Sequence, residues 1–187
     1  MARVDPIPRQ EMTPEQVRVN DKIASARAGG QAGGPFAVWL RTPQFADIAG
    51  DLGLYLRTKT TLPRRLLELT ILITARLWSA QYEWYAHEKF VDVAGLEREM
   101  VEDLRAGRRP RFTAPEDALV YDLVLEVQDR KGLDDATYRR ALDLLGEQTV
   151  IDLLTIIGYY TMLAVLLTGL EVETPDGSTP LPPLPKS

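Results

Sequence analysis

The chain has 187 residues, of which 45% are apolar and 26% charged, an ordinary globular composition long enough for one domain with a core of its own. Against 22 basic side chains stand 27 acidic ones, a net charge of -5 that argues against a clustered Lys/Arg surface and hence against nucleic acid as a partner. The absence of cysteine removes disulfides, thiolate metal sites, iron–sulfur clusters and thiol nucleophiles at one stroke.

Residues 1–13 read as an N-terminal arm: Pro6, Pro8 and several charges interrupt them, and there is no apolar run of signal-peptide length. A cytoplasmic location is therefore expected. From residue 14 to 172 apolar residues recur at helical spacing with hardly any strand-like alternation, so the fold class is all-α in a single domain. Prolines punctuate it, sitting in the two tails or at Pro35, Pro43, Pro63, Pro110 and Pro115. The spacing predicts helices over 14–28, 35–40, 43–57, 63–79, 81–94, 97–106, 115–130, 134–145 and 147–168. Thr13, Thr42 and Ala114 precede first-turn prolines, and Asp134 is placed to cap. Gly95, Gly107, Gly132 and Gly169 follow helix ends where a left-handed residue is wanted.

Between these elements, residues 28–34 carry four glycines without the Gly-Lys-Ser/Thr ending of a phosphate loop. Arg105, Arg108, Arg109 and Arg111 surround Gly107 and Pro110 and read as a solvated loop. Residues 150–170 are apolar enough to raise the question of a membrane span, but Asp152, Thr155, Thr161 and Thr168 interrupt them. A core or subunit-interface helix is expected there, with no membrane partner, and its apolar circumference predicts a homo-oligomer. Residues 173–187 form a Pro-rich tail, expected to be extended and to lie on this chain or a neighbouring subunit. Its P-x-x-P spacing leaves a docking role open.

Chemistry concentrates in the middle of the chain. Glu68 lies inside the nearly all-apolar run 66–78, where a carboxylate must find a partner or remain protonated. Arg76 shares that run, two turns on. In Gln81-Tyr82-Glu83-Trp84-Tyr85-Ala86-His87, the only histidine follows Glu83 by four residues on one helix face, with Trp84 alongside. A carboxylate that orients an imidazole in an aromatic setting suits general acid–base chemistry, and a helix-surface ion pair has the same spacing. One imidazole with carboxylates is a poor set for zinc or iron, so no metal is expected.

The run Glu68, Ala75-Arg76, Tyr82-Glu83-Trp84, His87 and Gly95-Leu96 resembles the core of the carboxymuconolactone decarboxylase family, which shares its fold with AhpD-like alkylhydroperoxidases. Gly34-Pro35-Phe36, Thr42-Pro43, Leu62-Pro63 and Gly158-Tyr159-Tyr160 extend the likeness over residues 14–172, toward the longer, decarboxylase-like branch. The resemblance implies an AhpD-like helical bundle assembled as a trimer or hexamer. The peroxidase branch has a C-x-x-C pair, whose positions here hold Ala80 and Glu83, so thiol peroxidase activity is not expected. The decarboxylase branch implies a cofactor-free lyase on a small lactone carboxylate. In that reading His87 donates the proton, Glu83 tunes it and Glu68 is a second, buried carboxylate of the relay. Arg76 would clamp the substrate carboxylate, or serve as a structural partner for a buried Glu, and Tyr82 and Trp84 would wall the pocket. A non-catalytic oligomeric small-molecule-binding protein of the same fold is the alternative.

Overall fold

The computed structural model describes residues 2–26 and 32–184. A 3-10 turn at Arg9–Glu11 precedes ten α-helices: α1 Pro14–Ser25, α2 Pro35–Trp39, α3 Pro43–Thr58, α4 Arg64–Leu77, α5 Gln81–Glu88, α6 Val91–Ala94, α7 Arg98–Arg105, α8 Pro115–Arg130, α9 Asp135–Leu145 and α10 Glu147–Gly169. The described residues contain no strand, as the periodicity predicts. Two starts carry side-chain caps. Thr13 and Gln16 close a reciprocal capping box on α1, and the Asp134 carboxylate accepts from the Thr137 backbone N–H at 2.8 Å.

Two expectations change in detail. The helix expected over 81–94 breaks after Glu88 into α5 and α6. Gly95 and Gly107 do take left-handed conformations at φ 71°, but after α8 and α10 the left-handed residues are Lys131 and Glu171, ahead of or beyond the glycines chosen from sequence. In the glycine-rich stretch 28–34 only residues 32–34 are described; there Gly34, at φ 59°, leads into Pro35 of α2.

Helix α4 is the centre. Apolar on nearly every side, it packs against α10, α5 and α8, and one continuous core surrounds it. Polar staples fix its neighbours. Arg65 donates through Nε and Nη2 to the fully buried Asp117 of α8, and also to the Gly95 carbonyl and Glu97. Asp152 of α10 accepts from the Thr61 N–H at 2.7 Å and the Thr61 hydroxyl at 2.8 Å, which seats the loop ahead of α4. This buried Asp is one of the polar residues that interrupt the apolar stretch 150–170. By length and composition α10 is the one described helix able to cross a membrane, yet most of its apolar window is covered by this fold.

The basic run near Gly107 spreads into local pairs: Arg108 with Asp103, Arg109 with Asp122 and Arg105 with Glu88. The described part of the tail, residues 173–184, makes a turn between Thr174 and Gly177 and lies on its own chain. Leu181 is 3% exposed, its backbone N–H and C=O both bond to the Gln81 amide, and Arg105 and Arg76 donate to the Pro180 and Pro182 carbonyls.

Candidate functional site

Helix α4 ends at a tight turn in which Ser79 is left-handed (φ 50°) and the Ala80 N–H reaches back to the Ala75 carbonyl at 2.8 Å. The turn folds α5 back along α4, so the end of α5 lies beside the beginning of α4. That places His87 against Glu68. The imidazole Nδ1 stands 2.8 Å from Glu68 Oε2, and the carboxylate is 2% exposed. Arg64, one turn before Glu68, approaches its other oxygen at 3.7 Å. The buried Tyr160 of α10 packs edge-on against the imidazole at 5.2 Å, and Phe90 does so at 6.0 Å. With Nδ1 held by Glu68, Nε2 is the ring nitrogen without a hydrogen-bond partner among the described residues and the one able to serve a ligand.

His87 and Glu68 line a cavity of about 420 Å³, within the range of small-molecule pockets. Among the described residues three cations, Arg57, Arg64 and Lys89, also line it, with Leu67, Ala86, Tyr82 and Phe90 as its apolar wall. Tyr82 is set there by bare glycine backbone. A Cβ at Gly34 would lie 2.2 Å from the phenol ring, and one at Gly33 would lie 2.7 Å from its hydroxyl.

The carboxylate four residues before His87 occupies a different environment. Glu83 is fully buried, neither of its oxygens meets a hydrogen-bond donor, and desolvation holds its carboxyl well above the usual carboxylate range. The partner of His87 is therefore Glu68, nineteen residues away, and not the helical neighbour Glu83. Both carboxylates act electrostatically on the Tyr160 phenol, which burial pushes up.

Of the other residues singled out in the sequence, only Tyr82 borders this cavity. Trp84 is a core residue whose indole N–H donates to Glu88 at 3.1 Å while Arg105 lies over its ring. Arg76, 3% exposed, gives one N–H to Pro182, while Nε and Nη2 have no partner and burial lowers its pKa. Arg57 and Lys89 escaped the sequence reading because each stands in an ordinary polar stretch; only folding gathers them at one wall. No cluster of three or more metal-ligating side chains occurs among the described residues. Neither a family model, nor a curated protein, nor a solved structure matches the chain.

Proposed function

We propose that the chain is a cofactor-free acid–base lyase, resembling carboxymuconolactone decarboxylase, that acts on a small lactone or carboxylic acid. The observation that carries the reading is the His87–Glu68 contact of 2.8 Å at the wall of a small cavity of mixed polar and apolar lining. With the imidazole doubly protonated, Nδ1–H donates to Glu68, which fixes the ring, and Nε2–H faces the chemistry. As the carbon–carboxylate bond breaks, carbon dioxide leaves, its bonding electron pair passes into the unsaturated lactone, and Nε2 returns a proton to carbon. Solvent then reprotonates the imidazole.

Glu83, whose carboxyl burial holds well above the usual range, has no donor to fix it, so Glu68 is the carboxylate that positions the ring, a division of labour set by environment. Tyr82 and Phe90 wall the substrate. The position expected of a resolving and a peroxidatic thiol is filled by Ala80 and Glu83, so the reading excludes a dithiol peroxidase.

Hydrogen–deuterium exchange at carbon tests it. The protein is incubated in D2O with a panel of lactones and carboxylic acids. Exchange or decarboxylation of at least one member is expected, with a loss of about 100-fold or more in His87→Ala and a comparable loss in Glu68→Gln. Turnover that persists in both variants would overturn the roles given to His87 and Glu68, and none with any member would leave a small-molecule-binding protein in its place.

A further inference from the structure

We infer that Arg57 is the anchor for an acidic group of the ligand, making the His87 cavity selective for a small organic anion with a flat apolar body; this rests on the reading of that cavity as the functional site. The sign of the charge is the first argument. The whole chain carries -5, yet among the described residues the cavity wall gathers Arg57, Arg64 and Lys89 against one carboxylate, Glu68. A cleft of one sign within a protein of the other concentrates ligands of matching charge.

The three cations are not equivalent. Arg64 is committed to Glu68 at 3.7 Å and lies over the Phe90 ring at 5.1 Å. Lys89 lies over the same ring at 5.3 Å. Arg57 has no ion pair and no hydrogen bond among the described residues, and its planar fork remains available.

Arg57 is nevertheless held in place. It belongs to the last turn of α3, and its Nη1 packs where a Cβ at Gly53 would lie at 3.2 Å. The same missing Cβ leaves room for the Tyr159 hydroxyl, which would be 2.3 Å from it and which donates to the Ala49 carbonyl at 2.9 Å. The Arg57 charge acts on the Tyr160 phenol, and Tyr160 in turn packs on His87. Arg57 and His87 thus both line the cavity, with the buried Tyr160 packed behind the imidazole. An anion seated on Arg57 lays its body between Tyr82 and Phe90 and brings its reactive carbon toward Nε2. Arg76, tied to the tail, lies outside this lining.

The test is a binding measurement on the full chain that requires no turnover. Ring resonances of the single histidine are followed while benzoate, 2-furoate and 5-oxotetrahydrofuran-2-carboxylate are titrated, each against its neutral counterpart: benzamide, 2-furamide and γ-butyrolactone. At least one acid is expected to bind about tenfold or more tighter than its neutral partner. Arg57→Gln, which breaks no bond in the fold, should erase that preference, Arg57→Lys should restore part of it, and Lys59→Gln, an exposed charge two residues on and outside the cavity, should leave it intact. Equal binding of acid and neutral partner, an Arg57→Gln variant that binds as the parent does, or no response of His87 to any acid would each overturn the assignment. Acid binding through Arg57 without exchange at carbon would sink the lyase reading and leave this one standing. Turnover of neutral lactones undisturbed in Arg57→Gln would do the reverse.

Discussion

At the scale of single residues, the two carboxylates near His87 differ because one has partners and the other has none. Glu68 is met by His87 and Arg64, whereas Glu83 is buried among groups that offer it no hydrogen bond. A carboxyl whose folded-state pKa is raised binds its proton more tightly when folded than when unfolded. Between the ordinary carboxylate range and its raised value the native state therefore holds more protons, and stability falls as pH rises. The slope is about 1.4 kcal/mol per pH unit across that window. Urea unfolding at pH 5 and pH 8 should show the parent losing stability with pH, and Glu83→Gln losing less by an amount of that order. Parallel pH profiles for the two proteins would refute a protonated Glu83. The sequence makes Glu83 the obvious companion of His87, because a spacing of four is visible in one dimension. The pairing with Glu68 depends on the turn at Ser79 that folds α5 onto α4, and local spacing does not encode it. Only the family resemblance pointed to Glu68 as a member of the relay.

At the scale of elements, helix existence is legible because proline and apolar period agree along the chain, and α3, α8, α9 and α10 fall within a residue or so of their expected limits. The break between α5 and α6 is not legible, since Lys89 and Phe90, where the chain turns, are tolerable helix residues. The glycines differ in the same way. Gly34 is required twice, by φ 59° and by the Tyr82 ring, whereas Gly132 has open space around it and no positive φ. Gly34→Ala should cost about 1–3 kcal/mol and loosen the Tyr82 wall; Gly132→Ala should cost less than about 0.5 kcal/mol. Thermal melts of both variants decide it, and equal melting temperatures would count against the described turn. The tail belongs to this scale too. Leu181 is buried and bonded to Gln81, and its neighbours Pro180 and Pro182 accept from Arg105 and Arg76, so this segment is a strap on its own fold. Leu181→Ala should destabilise the chain by about 2 kcal/mol, and an unchanged unfolding midpoint would return the tail to the role of a free proline-rich ligand.

At the scale of the whole molecule, the distribution of exposed apolar side chains argues for self-association. Helix α3 presents Phe45, Ile48, Leu52 and Tyr55 outward at steps of three, four and three residues, a helical stripe, with Ile48 68% exposed. Helix α10 adds Ile151, Met162 and Val165, and the two helices touch through the Tyr159 hydroxyl on Ala49. A stripe of this kind on a helix that supplies buried residues on its other side is a second apolar face, and apolar faces of that extent are commonly covered by another chain. A homo-oligomer built on this stripe would also border the last turn of α3, where Arg57 sits, and so tie assembly to the cavity. Light scattering on protein eluting from a sizing column should give a mass above one chain at micromolar concentration. Ile48→Asp combined with Leu52→Asp should shift it toward the monomer while helix content is unchanged, because both side chains are exposed within one chain. A parent that elutes as a monomer would refute the assembly outright. A double variant of unchanged mass would move the interface to another face.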